Sequence, residues 1–145
     1  MPDRRHHGRR SIVTAAHLPT PDAETVPYWD AAREHRLLIK RCRACGRPHW
    51  YPRPFCPHCW SEDVDWEEAS GLGTLYTWSV VRRNDLAPFG ERVPYVTAVV
   101  TLDEGPRMLS NLVDVDEAEV RIGMRLRVTW QDDGDYTLPV FTKAD

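Results

Sequence analysis

The sequence predicts a mostly β protein in three parts: a short N-terminal helix, a zinc ribbon and a five-stranded barrel of the OB-fold kind. Three observations carry that expectation. All four cysteines of the 145-residue chain fall between Cys42 and Cys59. Apolar residues at helical spacing come before them. After Gly73 the apolar residues recur with the period of two that marks half-buried strands.

The chain is long enough for one ordinary domain or two small modules, and a chain of this size buries roughly two-thirds of its unfolded surface. A hydrophobic content of 41% and a charged content of 28% belong to a globular protein. No apolar run reaches membrane-spanning length, and the opening MPDRRHHGRR has no apolar segment behind it. The reading therefore expects no signal peptide, no membrane helix and a cytoplasmic location.

In chain order, residues 1–19 are polar and basic and read as a flexible tail. Residues 20–36 form an entry segment and a helix of about Pro27 to His35, with Tyr28, Trp29, Ala32 and His35 near one face. Residues 37–69 form the ribbon: a strand Leu37–Lys40, the cysteine pairs, and an exit strand Val64–Glu68. Gly71-Leu72-Gly73 reads as a break, and residues 70–145 as the barrel. Its strands are expected at Thr74–Arg83, Tyr95–Leu102, Met108–Val113, Arg125–Gln131 and Tyr136–Thr142, with a helical turn at Asp116–Val120. Tyr76, Trp78 and Val80 are expected on one face of the first strand. Val96, Ala98, Val100 and Leu102 should point inward from the second, and Leu126, Val128 and Trp130 from the fourth. Five strands with a helical turn between the third and fourth is the OB order, although another closed five- or six-stranded barrel would give a similar string.

The ribbon carries the clearest chemistry. CRACGRPHWYPRPFCPHCW holds two CxxC turns separated by ten residues. Each turn brings two thiolates to one side of a tight loop, and two turns close a tetrahedral sphere. Cys42, Cys45, Cys56 and Cys59 are the expected ligands of one structural zinc, with iron as the alternative that four thiolates also accept. Gly46 supplies the backbone freedom that such a turn needs. His49 and His58 are close in sequence and read as surface residues, because four thiolates already suffice. Clustered cysteines in a chain without an export signal point to metal rather than disulfides.

Catalytic machinery is sparse. GxSxG, HExxH, GxxxxGK[ST] and GxGxxG do not occur. Residues 61–145 contain no His and no Cys, and their only lysine is Lys143. Acyl transfer needs an activated nucleophile and a nearby base, so the chain is not expected to catalyse such a reaction alone.

Several blocks, YWDAAREHRLLIKRCRACG, YPRPFCPHCWS, SGLGTLYTWSVV, PYVTAVVTLDEG, VRIGMRLRVTW and LPVF, resemble the family of OB-fold, acyl-CoA-associated proteins with an N-terminal rubredoxin-like zinc ribbon. The match runs from about Thr20 to Lys143. The resemblance implies a helix or helical hairpin, then the ribbon, then the barrel. It also implies a partner of the thiolase fold, including steroid side-chain aldolases, assembled with this chain as a hetero-oligomer with two copies of each chain, or a MaoC-type hydratase. Catalytic residues and the acyl-CoA site would then lie on the partner.

A rival reading is a nucleic-acid-binding module, for which Tyr76, Trp78, Tyr95 and Trp130 could stack on bases. Charge opposes it. Residues 1–61 hold 11 Lys and Arg against 5 Asp and Glu, whereas residues 62–145 hold 8 against 17. An acidic barrel repels phosphates. Direct binding of CoA phosphates is a third reading, with Arg41, Arg43, Arg47 and Arg53 as its candidates. Trp29, Trp50 and Trp60, three of the six tryptophans, are candidate interface anchors.

Overall fold

The computed structural model describes residues 17–145; residues 1–16 of the expected basic tail lie outside the described residues. Helix α1 (Val26–Arg33) leads into a three-stranded antiparallel sheet of β1 (Leu38–Cys42), β2 (Pro48–His49) and β3 (Val64–Glu68), with β1 in the middle. Five further strands follow: β4 (Leu72–Val81), β5 (Tyr95–Leu102), β6 (Arg107–Leu112), β7 (Arg125–Asp133) and β8 (Tyr136–Lys143). They close a barrel in the order β4-β5-β6-β8-β7, and β7 pairs back onto β4 through Gly73 and Leu126. Every neighbour is antiparallel except β6 and β8, which meet in parallel at Leu112 and Phe141. A 3-10 turn at Glu117–Glu119 sits between the third and fourth barrel strands. This order is that of the OB-fold.

Local chemistry accounts for α1. Asp22 accepts the Thr25 N–H on its side chain at 2.9 Å and the Val26 N–H on its carbonyl at 2.9 Å, which turns the chain into the helix. Pro27 then occupies the first turn, where its missing N–H costs nothing. The helix stops earlier than its periodicity suggests, because His35 adopts a left-handed backbone with φ of 60°. Instead of extending the helical face, the His35 ring stacks on Trp130 of β7 at 5.4 Å. Tyr28, Trp29, Ala31 and Ala32 are buried. Trp29 meets Tyr136 of β8 edge-on at 5.1 Å, which fixes the helix to the barrel.

The barrel interior follows the expected alternation on β5 and β7. Ala98, Val100, Leu102 and Leu126 are buried, with Val96, Val128 and Trp130 packed against them. On β4 the expectation fails. The pairing of β4 with β5 slips between Leu75 and Thr77, so Tyr76 is an extra, bulged residue. Leu75 is 1% exposed and Tyr76 is 48% exposed. A bulge switches the phase of side-chain alternation, so Tyr76 does not share the face of Trp78 and Val80. Gly73 is not part of a break either. It lies within β4, where a Cβ would sit 2.7 Å from the Thr101 carbonyl oxygen. Its bare backbone lets β4 and β5 approach.

One continuous core joins the three parts. Tyr28 and Trp29 of α1, Leu37 and Ile39 beside or in β1, and Val100, Met108, Leu126 and Phe141 of the barrel belong to a single buried cluster. Burial of each large side chain is worth about 1.5–3 kcal/mol, so helix and ribbon share the barrel's stabilisation. Among the described residues, no helix is long and apolar enough to cross a membrane.

Candidate metal centre

Two loops of the same shape build the cysteine cluster. In the first, the Gly46 N–H donates to the Cys42 carbonyl at 2.9 Å, and the Cys45 N–H points at the Cys42 sulfur at 3.5 Å. In the second, the Trp60 N–H donates to the Cys56 carbonyl at 2.9 Å, and the His58 N–H approaches the Cys56 sulfur at 3.3 Å. The residue that closes each loop has a left-handed backbone: Gly46 with φ of 76° and Trp60 with φ of 68°. For glycine that conformation is free, whereas for a residue with a Cβ it costs on the order of 1 kcal/mol.

The four sulfurs lie within 4.8 Å of one another, with Cys42 to Cys59 at 3.6 Å and Cys45 to Cys56 at 3.7 Å. A tetrahedral ion bound by thiolates at about 2.3 Å sets its sulfurs about 3.8 Å apart. A disulfide would need about 2.05 Å, so the cluster is arranged for a metal. Cys42 and Cys56 are buried, Cys45 and Cys59 exposed. Burial raises the Cys56 thiol pKa, but hydrogen bonds from the Cys59 and His58 backbones and from neighbouring thiols outweigh it and bring the value to about 7. At Cys59, the bond from the Ser61 backbone acts downward, yet burial and the neighbouring thiols carry the value to about 11.

Charged groups brace the ribbon. Arg41 forms a forked pair with Glu67, its Nη2 3.0 Å from Oε2, and also donates to the Gly46 carbonyl at 2.8 Å. Arg43 is held by Asp65. These two candidates for CoA phosphates therefore serve the sheet's own carboxylates. Arg47 and Arg53 have no carboxylate partner among the described residues. Lys40 is a site residue that sequence reading missed. Its Nζ is buried, donates to Glu24 at 3.1 Å and to the Arg53 carbonyl at 3.2 Å, and lies 4.5 Å from the centre of the Trp66 ring. One ammonium thereby ties the segment before α1, the loop between the cysteine pairs and β3. Lys40 is one of two lysines in the chain and sits in an alternating strand, which was the only available signal.

The expectation of two surface histidines is corrected for one of them. His58 is exposed, but His49 is 6% exposed because β2 places it opposite Lys40. Burial first, then the nearby positive charge of Lys40 and Arg53, lowers its pKa and favours the neutral ring. Neither ring nitrogen has a protein partner among the described residues.

The three candidate anchors also separate. Trp29 is interior and fills this chain's own core. Trp50 is half-buried and donates its indole N–H to the Tyr28 hydroxyl at 3.1 Å. Burial raises the Tyr28 pKa to about 12. Trp60 alone projects, 74% exposed, with its ring stacked on Phe55 at 5.3 Å.

Comparison with known proteins agrees with this architecture. Residues 29–65 match the family model described as "ChsH2, rubredoxin-like zinc ribbon domain", and residues 66–131 match "ChsH2, C-terminal OB-fold domain". A relative from Thermomonospora curvata, a "Probable enoyl-CoA hydratase alpha subunit", is 39% identical over 87% of this chain and 39% of its own length. The chain thus spans about two-fifths of that relative. A "DUF35 domain-containing scaffold protein" of Methanocaldococcus jannaschii is 36% identical over 79% of this chain and 84% of the relative. Among solved structures, a chain of the "Ltp2-ChsH2(DUF35) aldolase" superposes with a TM-score of 0.77 at 38% identity, covering 88% of this chain and 99% of that one.

Proposed function

Since the chain belongs to the DUF35 family of ChsH2-type zinc-ribbon and OB-fold proteins, we propose that it is an accessory subunit of an acyl-CoA-processing enzyme. The partner is a thiolase-fold chain, a thiolase, acyltransferase or side-chain aldolase, assembled with this protein as two copies of each. The observation that carries this reading is the agreement of helix, ribbon and barrel, in the same order, with nearly the whole ChsH2 chain of a solved aldolase. The residues are consistent with it. The barrel has neither His nor Cys to act as base or nucleophile, so the acyl-CoA chemistry belongs to the partner. A hydratase partner is the second reading, favoured by the hydratase alpha subunit that shares 39% of its residues over the matched region.

Zinc fits the thiol cluster in this reading. Cys42, Cys45, Cys56 and Cys59 would hold it, and four protein ligands leave it a cross-link rather than a Lewis acid. The experiment is co-expression with a thiolase-fold chain of the same organism, followed by size-exclusion chromatography. One peak holding both chains is expected. Separate elution, together with a stable and fully active enzyme, would overturn the reading.

A further inference from the structure

We propose that Trp60, braced by Phe55, is the anchor by which the ribbon docks on the catalytic chain; this deepens, and rests on, the accessory-subunit reading. The two cysteine loops are near-copies, which makes each position in one a control for the other. The residue closing the first loop is Gly46, the type that a left-handed backbone favours. The residue closing the second is a tryptophan, which has a Cβ penalty there and should be replaced by glycine if folding alone mattered.

Among the described residues, only the stack on Phe55 offsets that penalty. Trp60 is 74% exposed, and among the described residues its indole makes no hydrogen bond and its one aromatic neighbour is Phe55. Most of the ring's apolar surface is left in water. A large aromatic at an exposed tip, already stacked on a neighbouring ring, has the properties of an interface hot spot.

Charge identifies what it fits. Residues 44–60 contain no Asp or Glu, and Arg47 and Arg53 lack carboxylate partners among the described residues. The tip therefore suits an apolar socket with an acidic rim on the enzyme chain. Rim charges of this kind act chiefly on encounter, while the aromatic holds the complex.

Trp60→Gly is the decisive variant, because folding and docking predict opposite results. The full-length variant should keep its zinc and melt close to the wild-type temperature, since the relieved backbone offsets the lost stack on Phe55. Its affinity for the co-expressed thiolase-fold chain should fall by about 10-fold to 100-fold. Phe55→Ser should weaken binding less, and Ile122→Ser, at an exposed barrel position, should leave it unchanged. Equal affinity of Trp60→Gly and wild type would overturn the anchor while leaving the accessory-subunit reading intact. Failure of the wild type to bind would remove both. Self-association of the wild type that Trp60→Gly abolishes would assign the tip to a second copy and also overturn the proposal.

Discussion

At Cys42, Cys45, Cys56 and Cys59 the chemistry is decided by four atoms that would repel one another as thiolates and need a cation between them. Purified protein should hold about one zinc per chain by elemental analysis. Cys42→Ser or Cys59→Ser should lose it and unfold the ribbon, because structural zinc contributes on the order of 10 kcal/mol in small domains. Metal-free protein with unchanged thermal stability would contradict this. Lys40 offers a second test at the same scale. Lys40→Met keeps the stem's volume but leaves the Arg53 carbonyl without its donor and Trp66 without its cation. A loss of about 1–3 kcal/mol is expected in urea denaturation, and an unchanged midpoint would show that the ammonium does not hold the ribbon together. The cysteine site was legible because its spacing is local. Lys40 and the burial of His49 were not, since both depend on which residues β2 and β3 lay beside β1.

Between elements, aromatic and ionic contacts fasten the N-terminal segment to the barrel. Trp29→Ala should cost about 3–5 kcal/mol, because it opens a cavity between α1 and β8 where Trp29 meets Tyr136. A urea titration checks this, and a change below 1 kcal/mol, roughly the scale of a surface substitution, would contradict the packing. Nearby, Asp133 accepts from His17 at 2.9 Å and from Arg92 at 3.0 Å. Burial pushes its carboxyl upward, but the bonds from Arg92 and His17 prevail and hold it below the ordinary carboxylate range. A depressed carboxyl favours the folded state above its unfolded value, and that contribution fades as pH falls through the folded one. Asp133→Asn should therefore destabilise the protein by about 1 kcal/mol at pH 6 and by less at pH 3. Equal losses at both pH values would contradict the ion pair. Element type was readable from periodicity, but element detail was not. The Tyr76 bulge and the left-handed His35 arise from barrel closure and from stacking on Trp130, neither of which leaves a mark in local pattern.

For the whole molecule, the shared core implies that the ribbon is presented as a rigid extension of the barrel, since Leu37 and Ile39 are buried with Val100 and Leu126. A ribbon whose four thiols are placed for a metal, beside an acidic barrel, is the arrangement on which the proposed accessory role rests. The overall order of helix, ribbon and barrel was legible because each part has its own period. Which surface faces a partner was not, because exposure of Trp60 and burial of Trp29 are decided only when the parts pack. The most direct measurement is a titration of this protein into the proposed thiolase-fold partner, purified, at fixed acyl-CoA concentration, following turnover. Turnover should rise with added protein and saturate at one copy per catalytic chain, with none from this protein alone. A partner whose turnover is already maximal and stays flat throughout the titration would contradict an accessory role.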